Sequence, residues 1–111
     1  LTATMADPLE VQNWSKALEL PPDRFPLINS TKSMIGHCLG AAGSIEAVAV
    51  LIQMHKGFIH PSVNCEDLHD KIQPFANSIP QKMVERDIRI AAKASFGFGD
   101  VNGCLIFRKW L

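Results

Sequence analysis

Between Leu39 and His55 the chain carries its longest apolar pattern, with Ile45, Val48, Leu51 and Ile52 set among the small residues Ala41, Ala42, Gly43 and Ala47. This mixture leaves a helix almost no polar face, so the segment is expected to be helical and buried on most sides. Burying one large aliphatic side chain is worth about 1.5–3 kcal/mol, which makes this helix the expected main packing element. Upstream, Asp7-Pro8-Leu9-Glu10 carries the start signals of another helix, with Asp7 as cap and Pro8 in the first helical position, running to about Leu18. Pro21-Pro22 breaks that helix, and Pro26-Leu27-Ile28-Asn29-Ser30 then reads as a short buried strand aimed at Lys32.

Residues 61 to 87 mix prolines, charges and scattered apolar positions without a period, which predicts a covering loop region. Beyond it, Ile88 to Ser95 and Gly103 to Arg108 read as two strands flanking Phe96-Gly97-Phe98-Gly99-Asp100-Val101-Asn102, and a hairpin is the economical connection. Nothing in the chain repeats and no stretch is low in complexity.

The chemistry gathers in Lys32-Ser33-Met34-Ile35-Gly36-His37-Cys38-Leu39-Gly40-Ala41-Ala42-Gly43. A cation and an imidazole lie five residues apart, joined through a glycine that lets backbone approach a ligand, just before the apolar helix. Histidine suits proton transfer or hydrogen-bond donation near neutral pH, and Lys32 could orient or polarise the same site. The predicted strand would place both at its carboxyl end, where α/β folds commonly hold their sites. Glu46 stands out on the apolar helix, because a buried carboxylate costs several kcal/mol unless it is paired, hydrogen-bonded or neutralised; an exposed helix-edge glutamate is the alternative. Gly97 and Gly99 could leave backbone N–H groups facing a substrate carbonyl, although a plain hairpin tip would read the same way. His55, His60 and His69 are spaced too irregularly for a metal site and are expected to be structural or solvated.

Composition narrows the classes. The chain has 47% hydrophobic and 20% charged residues, as a folded globular chain does. Eleven basic and eleven acidic residues give a formal net charge of zero, so no overall basic field draws nucleic acid or a membrane surface, although a local basic patch could still meet an acidic carrier protein. No apolar run reaches the roughly 18 residues of a membrane span, and a cytoplasmic setting is expected. Three cysteines without a Cys-x-x-Cys pair argue against a disulfide framework and against structural zinc, so no metal is expected.

Three blocks in order make the chain similar to the carboxyl-terminal part of the β-ketoacyl-ACP synthases, the condensing enzymes of fatty-acid and polyketide synthesis. Asn29 to His37 with Leu39-Gly40-Ala41-Ala42-Gly43 and Glu46-Ala47 resembles the family's lysine and histidine motifs. Gly57-Phe58-Ile59-His60-Pro61-Ser62-Val63-Asn64 resembles the segment after the buried helix, and Ser95-Phe96-Gly97-Phe98-Gly99 with Asn102 the terminal glycine-rich loop. Thr2-Ala3-Thr4 resembles the run that follows the family's other catalytic histidine, which would then lie just before Leu1; the nucleophilic cysteine would lie farther upstream. Cys38, Cys65 and Cys104 fall where the family pattern has no nucleophile.

The resemblance implies a thiolase-like α/β fold, of which residues 1–111 supply the carboxyl-terminal part: a mixed sheet, a buried central helix and a final antiparallel strand pair. It implies an acyltransferase that joins malonyl-ACP to an acyl thioester by decarboxylative Claisen condensation, without a cofactor, in partnership with acyl carrier protein and as a homodimer. The piece alone is not expected to be a complete enzyme. His37 would donate to the malonyl thioester oxygen, Lys32 would set the local network, and Glu46 would support it. The backbone N–H of Phe98, between Gly97 and Gly99, would serve an oxyanion hole while its ring gates the acyl chain. One departure stands out: the family usually has Gly-Gly-Thr-Asn where this chain has Gly99-Asp100-Val101-Asn102. The competing readings are a non-catalytic chain-length-factor-like or carrier-binding subunit, and a polyketide ketosynthase.

Overall fold

A computed structural model describes residues 6–110. Thr2-Ala3-Thr4 lies outside the described residues. The elements follow in the order α1 (Ala6–Leu18), α2 (Lys32–Ile35), α3 (Ala42–Lys56), β1 (Phe58–Ile59), β2 (Val84–Glu85), β3 (Ile90–Gly97) and β4 (Val101–Arg108), with 3₁₀ turns at Pro22–Arg24, Leu39–Ala41 and Gln73–Ser78. The chain divides into two units, residues 1–36 with 60–84, and residues 37–59 with 85–111.

The first unit is built on an apolar cluster of Val11, Phe25, Ile72, Phe75 and Ile79, against which Trp14, Ile28 and Leu68 pack. Phe25 and Phe75 meet edge to face with ring centroids 4.9 Å apart, the arrangement that aromatic quadrupoles favour. Helix α1 spans Ala6–Leu18, which places its first described residue two before the Pro8 predicted to open it, so Asp7 and Pro8 sit in its first turn; an acidic side chain there complements the helix dipole, and a proline there displaces no intrahelical hydrogen bond. The predicted strand at Pro26 to Ser30 does not form. Pro26 has no N–H to give, and the segment's backbone is held instead by the Ile28 N–H donating to the Ser78 carbonyl at 2.6 Å. Residues 61 to 87 are also less irregular than predicted, because the 3₁₀ turn Gln73–Ser78 delivers Phe75 to the cluster and buries the Ser78 hydroxyl, which donates to the Phe25 carbonyl.

In the second unit, α3 packs against β3, and β3 pairs antiparallel with β4 from Ile90 opposite Arg108 to Gly97 opposite Val101. The ladder runs two residues closer to the tip than the sequence pattern predicts, so the turn is only Phe98 to Asp100. The described strands form two two-stranded sheets where a mixed sheet was expected. Helix α3 lies where predicted, but this chain's own residues bury it only in part. Gln53 and Met54 are buried, while Ile45, Val48, Leu51 and Ile52 stay 40–55% exposed. Ala42, Gly43, Ala47 and Ala49 are half-buried, more so than these large aliphatics of the same helix.

Replacing Phe75 with Ala should cost the first unit about 3–5 kcal/mol, because a buried ring leaves a cavity. Urea unfolding read by the fluorescence of Trp14 measures it, and a loss below about 1 kcal/mol would mean that the cluster is not the unit's core. At the base of the hairpin, Lys109 Nζ lies 3.0 Å and Arg89 Nε 3.5 Å from the Asp87 carboxylate. The Lys109 hydrogen bond, then its charge, hold Asp87 below the ordinary carboxylate value of 3.8. A depressed carboxylate stabilises the fold above that value, and the contribution disappears as pH falls through the folded-state one. Asp87→Asn should therefore lower Tm slightly at about pH 7, and the difference from the unsubstituted chain should shrink as pH falls below 3.8, as thermal melts over that range would read.

Candidate active site

Lys32 opens α2, a single turn whose backbone closes through the Gly36 N–H to the Lys32 carbonyl at 2.9 Å. Gly36 sits at φ +78°, a left-handed conformation that a side chain would strain, and it lets the chain turn out of α2 directly into His37. The approach to Lys32 is fixed within the first unit by His60, which is buried. The Asn29 amide donates to the His60 carbonyl at 3.0 Å, and the His60 ring reaches the Thr31 hydroxyl at 3.4 Å and the Pro61 carbonyl at 2.9 Å. A carbonyl only accepts, so His60 Nδ1 carries the proton there. His60 is thus a structural histidine that holds the backbone before the lysine.

His37 opens the second unit and is solvent-exposed. Its Nδ1 accepts the Leu39 backbone N–H at 2.9 Å. That bond requires an Nδ1 without a proton, which leaves the ring hydrogen on Nε2 as the outward donor. Leu39 makes the bond from φ +50°, a left-handed conformation costing a non-glycine residue about 1–2 kcal/mol. Exposed His69 accepts the Lys71 N–H in the same way at 3.1 Å, so the bond alone is not a signature of function. What distinguishes His37 is its place between the Gly36 turn and the entry to α3.

Glu46 lies one turn into α3 with its side chain 13% exposed, and its Oε1 is 3.7 Å from Lys93 Nζ, itself 9% exposed. The predicted need for a partner is met, and the sequence reading missed that partner. A lone lysine in the small-residue run Ile90-Ala91-Ala92-Lys93-Ala94-Ser95 was the available signal. At the hairpin tip, Phe98 is fully exposed, and Gly99 and Asp100 follow with φ of +79° and +61°. The second of these two left-handed positions is the one at which the sequence departs from the Gly-Gly pattern. Gly97 faces the Val101 carbonyl so closely that an added Cβ would come within 3.2 Å.

Lys32 thus belongs to one unit, and His37, Glu46 and the Phe98 turn to the other. A hollow of about 380 Å³ formed by Leu51, Met54, His55 and residues 106–109 contains none of these side chains. Among the described residues no group of three or more His, Cys, Asp or Glu could hold a metal ion, and no helix is long and apolar enough to cross a membrane.

Residues 2–66, more than half the chain and spanning both Lys32 and His37, match the family described as β-ketoacyl synthase, C-terminal domain. The chain belongs to the β-ketoacyl synthase family. It is 38% identical over 100 residues to 3-oxoacyl-[acyl-carrier-protein] synthase 1 of Escherichia coli K12, covering 90% of this chain and 24% of that protein. It is 36% identical over 109 residues to synthase 2 of Vibrio harveyi, covering 97% of this chain and 26% of the relative. The chain therefore spans about a quarter of the length of these β-ketoacyl synthases. Among solved structures it matches a complex of a type II polyketide-synthase acyl-carrier protein with its ketosynthase bound to the hexaketide (AntDE:AntF), at TM-score 0.67 and 34% identity over 74% of this chain and 20% of that one. The fold is accordingly the thiolase-like α/β fold of this family.

If Asp100 is strained at φ +61°, Asp100→Gly should stabilise the hairpin by about 0.5–1 kcal/mol. Chemical unfolding compares the two chains, and a destabilised variant would mean that the carboxylate makes a contact worth more than the strain.

Proposed function

We propose that this chain is the carboxyl-terminal part of the catalytic domain of a 3-oxoacyl-ACP synthase, which carries out decarboxylative condensation of malonyl-ACP with an acyl thioester in fatty-acid biosynthesis. The observation that carries the reading is the match of residues 2–66, which span both Lys32 and His37, to the β-ketoacyl synthase C-terminal domain, and the Leu39 N–H to His37 Nδ1 bond supports it by leaving Nε2–H as a donor. In the proposed step, the malonyl carboxylate leaves as CO₂ and its bonding pair moves into the thioester to give an enolate. The enolate oxygen accepts from Nε2–H of His37 as its charge develops, and a donor already aimed at that charge needs no reorganisation. The enolate carbon then attacks the acyl thioester carbonyl. The backbone N–H of Phe98 stabilises the oxygen of that second centre, and the acyl carbon–sulfur bond then breaks to release the thiolate of a cysteine outside this chain. Lys32 sets the field and hydrogen bonds around the histidine, and Glu46 supports that network.

The piece by itself lacks the nucleophile and is not a complete enzyme. The partners are acyl carrier protein and a second copy of the chain, and the setting is the cytoplasm. The structural relative from a polyketide synthase supports polyketide extension as the second reading, with the same roles for the same residues. Asp100 in place of the second glycine supports a non-catalytic pairing subunit, against which stands the presence of both Lys32 and His37.

His37→Ala in the full-length polypeptide should lower malonyl-ACP decarboxylation by about 10²–10³-fold, as expected for the loss of one preorganised donor. Release of labelled CO₂ from carboxyl-labelled malonyl-ACP measures it. Undiminished release would remove His37 from the mechanism.

A further inference from the structure

We propose that Lys93 is a positioning residue that aims the glycine-rich turn by tying its stem to α3. This rests on the function proposed above for its catalytic meaning, but not for its structural meaning. Lys93 is the one charged side chain in the run from Ile90 to Gly97, and it shares a strand face with Ala91, Ser95 and Gly97. Its ammonium reaches Glu46 Oε1 on α3 at 3.7 Å and donates to the Ser95 hydroxyl on its own strand. Two elements and three polar groups thus meet at one point that is largely shut off from water.

Such a cluster is an expensive way to join a helix to a strand, since desolvation of both charges offsets most of their attraction and an apolar contact would serve stability as well. What charges and hydrogen bonds add is a defined geometry. The stem above the cluster has little else to define it. Ala94 faces Cys104, Ser95 faces Gly103 and Gly97 faces Val101, which leaves Phe96 opposite Asn102 as the one bulky cross-strand pair where the ladder enters the turn. The turn itself runs through two consecutive left-handed residues with Phe98 fully exposed, and so has no packing of its own to hold its direction. Ser95 lies two residues before Gly97. Holding its hydroxyl and the Glu46 carboxylate with one ammonium fixes where the Phe98 N–H points, relative to the helix that follows His37.

The test uses the full-length polypeptide with Lys93→Met, Lys93→Arg and the double variant Glu46→Gln/Lys93→Met. Amide hydrogen exchange is followed at 96–100 and at 105–107, and kcat and KM are followed for malonyl-ACP decarboxylation. Removing the ammonium should speed exchange at 96–100 by about ten-fold while leaving 105–107 unchanged, the mark of local rather than global opening. It should lower kcat by about ten-fold with KM altered less than about two-fold, because the lost alignment matters in the transition state. Lys93→Arg, which keeps the cation, should recover most of both. If Lys93→Met fails to fold because the Glu46 carboxylate has lost this ammonium, the double variant removes that charge as well, and it should still show the faster exchange at 96–100. Unchanged exchange at 96–100, or an equal rise at 105–107, in whichever variant folds would overturn the positioning role. Absence of decarboxylation by the unsubstituted protein would count against the proposed function instead, and the exchange comparison would still decide the role of Lys93.

Discussion

The backbone N–H of Leu39 reaching Nδ1 of His37 is the contact on which the proposed chemistry turns. It is made by a residue held in a left-handed conformation, at a cost of about 1–2 kcal/mol that a free loop would shed by relaxing. Neighbouring structure over-determines it. Gly36 turns the chain out of α2 on one side, and the 3₁₀ turn Leu39–Ala41 feeds into α3 on the other. A proton can therefore sit on Nε2 but not on Nδ1 while this geometry lasts, and a histidine of fixed tautomer is what the proposed donation to a forming enolate requires.

Helix α3 links that entry to the rest of the second unit, and it does so with an inverted face. Its small residues and Glu46 turn to the partly buried side, while Ile45, Val48, Leu51 and Ile52 remain exposed. Small side chains allow close approach to β3, and the aliphatic stripe is only about half covered by the described residues. The paired charges of Glu46 and Lys93 sit on the close face, where a mispaired charge would be costly. The same helix thus carries a charged face and an apolar one.

Much of this was legible in the residues. Cap and proline signals placed α1, an apolar segment with almost no polar face placed α3, and two strand-like segments flanking the glycine-rich stretch placed the hairpin, because local sequence decides each of them. Asp100 was readable as a left-handed position because the family's glycine stands there. Three features were not legible. Pro26 to Ser30 has strand-like residues, but a strand exists only through a neighbour to pair with, and pairing is not written in a single segment. The partial burial of α3 could not be read either, since periodicity reports how apolar a face is and not what covers it. Lys93 escaped because its partner is 47 residues away in sequence, although an isolated lysine among alanines of a strand is a sign that a buried counter-charge is near.

The most direct measurement is the nitrogen-15 NMR spectrum of His37 in the intact protein, assigned by comparison with a variant lacking that histidine, since the two ring nitrogens differ in shift according to which one bears the proton. A neutral ring protonated at Nε2, with Nδ1 in the acceptor range, is the predicted result. A ring protonated at Nδ1, or an even mixture of tautomers, would contradict it and would remove the preorganised donor from the mechanism.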